Sequence, residues 1–315
     1  MQARRRTNLF LGLIPALIAL LLLLRAFDVF SDGIDDIVIR SWPLVLVVIG
    51  LVLLLRERIT AGSLIALVIS GAMIAGIVTM SYSMRRNDAR SDQRVEFGES
   101  IDGETALLVI NVETLDTDVD IRTLDTDAQA VEGEFVGSHA SEVSFSCVGG
   151  EVAECTFTET KPEQLPPLEA VGRGNLSLRV PGELPVAIAF AGTEGSATFD
   201  LNDAQLERIA VELQAGDVLL TVPAYQPQSP SAINDPGQLI LADGDLTVVV
   251  PVEVNARLGF DRRGSNIDPQ YPPDYIEQRN SVDGLLRRDV EDGSITLEYD
   301  VLIPRGELRL DVSAN

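Results

Sequence analysis

The chain has 315 residues, and 48 Asp and Glu against 24 Lys and Arg give it a formal net charge of −24 at pH 7. The acid is unevenly placed: residues 1–86 hold nine Arg and five acidic residues, so by subtraction residues 87–315 carry 15 basic and 43 acidic side chains, a net −28. Such a field repels nucleic acid and anionic headgroups and favours solubility, divalent cations and basic partners, which excludes DNA and RNA as ligands.

In chain order, the first element is an apolar run from Leu9 to Leu24 behind Arg4, Arg5 and Arg6. No small-x-small cleavage site follows and further apolar runs come next, so it reads as a retained helix rather than a signal peptide. The run Pro43 to Leu55 is short for a bilayer core of roughly 30 Å and borrows Ile37 to Trp42, with Arg40 snorkelling and Trp42 at the interface. The third run, Ile59 to Met80, carries Ala61, Gly62, Gly71, Ala72, Ala75 and Gly76, which permit close helix packing. Only Arg56-Glu57-Arg58 separates the second and third runs, which predicts a tight helical hairpin. Residues 1–86 are therefore expected to be a bundle of about three transmembrane helices in a cell membrane. The arginines at 4–6, 56 and 58 place the amino terminus in the cytoplasm and the large acidic domain outside. Arg85, Arg86, Arg90 and Arg94 oppose that orientation.

Residues 87–105 read as a polar linker, and period-two alternation then runs through 106–315. It predicts strands at Ala106 to Val112, Asp118 to Arg122, Ala130 to Val136, Glu142 to Ser146, Leu176 to Val180, Val186 to Phe190, Ala197 to Leu201 and Ile209 to Leu213. It resumes at Val218 to Val222, Leu239 to Leu241, Leu246 to Val250, Val254 to Phe260, Ile295 to Tyr299 and Glu307 to Val312. Cys147 and Cys155, the only cysteines, fall opposite one another if a hairpin turn centres on Glu151. They suit a disulfide, which persists in an oxidising compartment, ahead of two free thiols and ahead of metal or redox chemistry.

Three phrases repeat within this region: Gly174-Asn-Leu-Ser-Leu-Arg-Val-Pro181, Gly216-Asp-Val-Leu-Leu-Thr-Val-Pro223 and Gly244-Asp-Leu-Thr-Val-Val-Val-Pro251. Each reads as a turn whose glycine supplies a positive φ, a strand with one branched face, and a stop at a proline that cannot donate to the ladder. Gly174, Gly216 with Asp217, and Gly244 with Asp245 are thus the expected repeat turns. Gly216 and Gly244 should occupy equivalent turns, with Val218, Leu220 and Val222 stacked under Leu246, Val248 and Val250 in one core. The fold class is an all-β, solenoid-like stack joined to the membrane helices.

Chemistry-bearing motifs are sparse. Thr114-Leu-Asp-Thr-Asp118 and Thr123-Leu-Asp-Thr-Asp127 could bring carboxylates around Ca²⁺, but they lack the glycine-punctuated loop of a strong calcium motif and read as solvated turns. Arg262 to Arg288, with Pro269, Pro272, Pro273, Tyr271 and Tyr275, is the longest irregular stretch, read as a loop pinned over a sheet edge by its aromatics rather than as a binding groove. A single histidine, His139, no Gly-x-Ser-x-Gly elbow and no phosphate loop argue against an enzyme, and no cofactor or metal is expected.

Phe10 to Leu24 followed by Trp42-Pro-Leu-Val-Leu-Val-Val-Ile-Gly-Leu-Val-Leu-Leu-Leu55 resembles the amino-terminal membrane module of LiaF-like proteins. Leu206 to Pro223 and Gly237 to Pro251 resemble that family's carboxy-terminal toastrack β domain, with a Gly-Asp turn and a proline after each strand. The resemblance implies a right-handed β stack on a membrane anchor. It also implies a role in sensing or restraining the envelope stress response beside a two-component histidine kinase or another envelope protein. The cysteine pair, the acidity and the 262–288 stretch depart from the family pattern. The alternative reading is a structural or adhesive surface module.

Overall fold

Where apolar and polar residues alternate, the chain extends. A computed structural model describes residues 76, 79–80, 85–124, 129–161, 171–228, 237–261, 269–279, 283–290 and 295–313. The three apolar runs and the 1–86 helical module lie outside the described residues, apart from a few positions near their end. Among the described residues, no helix is long and apolar enough to cross a membrane.

Seventeen strands are described. The first are β1 (Gln93–Ser100), β2 (Leu107–Thr123), β3 (Ala130–Gly137), β4 (Glu142–Val148), β5 (Val152–Thr160) and β6 (Gly174–Val180). Then come β7 (Pro185–Glu194), β8 (Ala197–Asp200), β9 (Gln205–Ala215), β10 (Val218–Thr221), β11 (Gly237–Leu241) and β12 (Leu246–Pro251). The last are β13 (Asn255–Asp261), β14 (Ile276–Arg279), β15 (Asp283–Arg288), β16 (Thr296–Leu302) and β17 (Leu308–Ser313).

They form two faces. The narrow face runs β1-β3-β6-β2-β8-β10-β12-β17, and the broad face runs β4-β5-β2-β7-β9-β11-β16-β13-β15-β14. The middle of each face is parallel; antiparallel hairpins, β4–β5 and β14–β15, close both ends of the broad face, while the narrow face begins with antiparallel β1, β3 and β6 and ends on the parallel strand β17. A rung crosses from the broad face to the narrow one at a corner: β7 to β8, β9 to β10, β11 to β12, and β16 to β17. Inward side chains of both faces meet in one core.

In the narrow face Val218 pairs with Leu246 and Leu220 with Val248, so the two predicted triplets stack side by side. All six residues, Val218, Leu220, Val222, Leu246, Val248 and Val250, are buried. The broad face repeats the device with Phe157, Val112, Phe190, Val211, Leu239, Val301 and Phe260 in register across seven strands.

The corner is where backbones come closest. Gly195, Gly216, Gly244 and Gly306 all have φ between 132° and 139° and stack on successive rungs. A Cβ on Gly216 would penetrate the Gly195 carbonyl, one on Gly244 the Gly216 carbonyl, and one on Gly306 the Gly244 carbonyl. The next residue supplies the missing acceptor: Asp217 Oδ1 accepts from the Asp245 N–H at 3.0 Å and Asp245 Oδ1 from the Glu307 N–H at 2.8 Å. Asp118 Oδ1 does the same for the Ser196 N–H at 2.8 Å. A turning backbone leaves donors without ladder partners, and a short carboxylate on the neighbouring rung satisfies them.

Several expectations need correction. Gly174 falls in the same column, in register with Thr117, but it begins a strand and is not a positive-φ turn. There Thr117 Oγ1, which would lie 2.6 Å from a Cβ, and the Phe135 ring fill the space. Pro251 ends β12 from within, opposite Ser313. The stretch 87–105 holds β1, because Phe97 packs on Gly133 and against Phe145 at a centroid distance of 4.5 Å. The two strands expected at Ala106 to Arg122 are one, β2, which passes through both faces. β5 and the β14–β15 pair occupy segments where no strands were expected.

Gly244→Ala combines a left-handed conformation, about 1–2 kcal/mol, with overpacking against a rigid backbone, about 1–3 kcal/mol. Chemical denaturation of the full chain followed by far-ultraviolet circular dichroism should show a loss of about 3 kcal/mol. Gly103→Ala, whose Cβ would meet nothing nearer than 4.0 Å, should leave the midpoint unchanged.

Candidate functional site on the broad face

At the β4–β5 end, Cys147 and Cys155 face each other in the ladder and are joined Sγ to Sγ at 2.00 Å. Beneath the hairpin Phe157 packs at 5.5 Å from Phe97 and 6.1 Å from Phe135. Glu159 is buried in this end. Its carboxylate accepts from the Leu115 N–H at 2.9 Å, Thr117 Oγ1 at 2.8 Å and Ser141 Oγ at 2.8 Å. It thereby pins the hairpin to the place where β2 passes between faces. The Thr114 to Asp118 stretch is therefore strand rather than turn. Asp116 holds Lys161 at 2.6 Å and Asp118 serves the corner, while Asp125 to Asp127 lie outside the described residues. Among the described residues no group of His, Cys, Asp and Glu is arranged to hold a metal ion.

Two more buried charges were not evident from sequence. Glu207 sits where the β7–β9 register slips, so its side chain leaves the alternation. It accepts from Tyr225 Oη at 2.7 Å and the Gln228 N–H at 2.9 Å. Gln226 accepts the Thr296 N–H at 2.9 Å, so residues 225–228 clip β9 to β16. At the other end Arg288 is 2% exposed and donates through Nη2 to the Pro251 carbonyl at 2.7 Å and to the Val252 carbonyl. Its guanidinium lies 5.6 Å from the Tyr275 ring centroid and 3.5 Å from Asp274. Tyr275 is buried and Tyr271 packs on the core, which agrees with aromatics pinning that stretch. Residues 262–268 lie outside the described ones.

The outward side of the broad face is open and built from small residues. A shallow groove of about 320 Å³ has Ala189, Ala191 and Ala210 as its floor and Asn111, Glu113, Thr156, Glu212, Gln238 and Ile240 around it. A second, also lined by Gln238 and Ile240, has a volume of about 340 Å³ and lies over Gly259 beside Asp283 and Asp300. Together they make a lane across the strands, and no catalytic constellation lines it.

Two outcomes follow from the buried groups. Glu159→Ala strands three donors, each costing about 1 kcal/mol or more, so urea denaturation should reveal a loss of about 3 kcal/mol or more. Burial, and then the hydrogen bond to Glu207, push Tyr225 up to about 12. Burial pushes Tyr275 up to about 12 despite Arg288, and burial also raises Tyr299. A raised tyrosine stabilises the fold fully below its ordinary value near 10, and that contribution is lost as pH rises through the folded value. Stability should therefore decline between about pH 10 and pH 12, with phenolate absorbance rising in step with unfolding.

Residues 10–84 match the LiaF transmembrane domain family. No curated protein matches the chain significantly. Among solved structures, the crystal structure of a candidate cell adhesion protein from Clostridium sporogenes is similar in fold, with a TM-score of 0.55 and 13% identity over 70% of this chain and 100% of that one. The chain is thus a membrane protein that carries a LiaF transmembrane domain at residues 10–84 ahead of an all-β domain.

Proposed function

We propose that this chain is a non-enzymatic envelope protein that senses or restrains an envelope-stress response beside a two-component histidine kinase, with its β stack outside the cytoplasmic membrane. The observation that carries this reading is a LiaF transmembrane domain at residues 10–84 followed by a β stack. The charges buried in that stack are engaged in holding it together: Glu159 pins a hairpin, Glu207 a clip and Arg288 a strand end. That leaves the outer surface to act by binding. The arginines at positions 4–6, 56 and 58 and the Cys147–Cys155 bond support the outward placement, the first through the positive-inside bias and the second through the need for an oxidising compartment. An adhesive or structural role is the second reading, favoured by the fold likeness to the clostridial candidate adhesion protein.

Solubilisation in mild detergent followed by affinity purification of the tagged full chain should recover a membrane histidine kinase. Recovery of wall polymer without a kinase would favour the adhesive reading instead. Protease added to intact spheroplasts should remove the chain beyond about residue 90, and non-reducing mass spectrometry should find Cys147 joined to Cys155. Full protection together with two alkylatable thiols would place the domain inside.

A further inference from the structure

The outward broad face has a chemical bias that its fold does not require. In register across β2, β7 and β9 stand Glu113, Ala191 and Glu212, with Ile240 and Leu302 continuing the row. The adjoining row is Asn111, Ala189, Ala210, Gln238, Asp300 and Gly259. Neither row contains a basic residue. The arginines of this face, Arg208, Arg257 and Arg287, lie one row further from the corner, and Arg287 is held by Asp289 at 2.7 Å. Glu113 and Glu212 are both exposed.

Adjacent strands lie about 4.8 Å apart, so Glu113 and Glu212 are roughly 10 Å apart across the alanine floor. A cationic head seated over Ala191 would reach both carboxylates. Gly259, the floor of the second groove, is four strands from Ala189, roughly 19 Å, which an extended chain covers in about six residues. We propose that the broad face binds an extended basic polypeptide segment of a partner. The segment lies across the strands, with one Lys or Arg over Ala191 between Glu113 and Glu212. A second, about six residues on, lies over Gly259 beside Asp300.

Charge selects this occupant. A second copy would bring one acidic face against another, at a net −28 for residues 87–315 in each copy. A glycan would prefer an aromatic platform, and no aromatic side chain stands in either row. The inference does not rest on the kinase reading, because any partner presenting such a segment would satisfy it.

The test uses the full chain in nanodiscs of zwitterionic lipid at low ionic strength, with fluorescently labelled peptides read by anisotropy. The probes are polar, extended peptides with two lysines six residues apart, two lysines three apart, or two glutamates six apart. The six-apart lysine peptide should bind tightest and the glutamate peptide not at all. Glu113→Gln with Glu212→Gln should weaken it about tenfold or more, as should Ala191→Leu, which fills the floor without touching charge. Glu96→Gln with Glu132→Gln removes the same charge from exposed sites on the narrow face and should change binding less than twofold. Equal weakening by both double variants would mean only the general field acts, and would overturn the proposal. So would absent binding, indifference to Ala191→Leu, or self-association that the Ala191→Leu change abolishes.

Discussion

Successive rungs of this stack pass so close at the corner that the carbonyl of one occupies the place where the next would carry a Cβ. That constraint makes Gly195, Gly216, Gly244 and Gly306 a single column rather than four separate turns. Because the column fixes where each strand leaves the broad face, it fixes the register of the next strand on the narrow face. The register in turn brings Val218 against Leu246 and Leu220 against Val248. Burial of branched side chains then follows from backbone geometry, and its contribution of roughly 25 cal/mol per Å² stabilises a path the corner has already chosen.

The same closeness explains the acids beside the glycines. At the corner the glycine N–H groups reach backbone carbonyls of the next rung, as Gly195 does Ala215, but the Ser196, Asp245 and Glu307 N–H groups are met by carboxylate oxygens of Asp118, Asp217 and Asp245. Part of the strong acidity of residues 87–315 is thus structural, and does not advertise a ligand. Glu159 and Glu207 belong with it, each consumed by backbone and hydroxyl donors where a hairpin or a loop must be tied to the stack. Glu113 and Glu212, on an outward row of the broad face, are exposed instead.

How much of this could be read from sequence depends on how local the cause is. Gly216-Asp217 and Gly244-Asp245 were legible because turn, strand and closing proline lie within eight residues. Gly195 and Gly306 occupy the same column, yet Ser and Glu follow them and no proline closes their strands, so the phrase was hidden although the spacing of apolar residues was present. Gly174 shows the converse: it has the phrase but not the conformation, because its rung enters the narrow face already extended. The Cys147–Cys155 pairing was legible as a hairpin about Glu151, whereas β5 was masked because alternate positions hold Glu154, Thr156 and Thr158, which face outward and dilute its apolar signal. The burial of Glu159, Glu207 and Arg288 could not be foreseen, since their hydrogen-bond partners lie 18 to 44 residues away.

The two ends of the stack are solved differently, and the difference bears on how the domain works. Parallel edges invite further strands, so a stack must be closed or it will grow. At the β4–β5 end closure is covalent and aromatic: a disulfided hairpin lies over Phe97, Phe145 and Phe157. At the other end closure is electrostatic, with Arg288 capping the carbonyls that end β12, and with Gln270 bonded to both Leu308 and Leu310 across the edge of β17. With both ends occupied, the outward side of the broad face presents Glu113, Ala191 and Glu212 to solvent. Ala189, Ala191 and Ala210 at one end of its lane and Gly259 at the other keep the surface low where the two grooves lie.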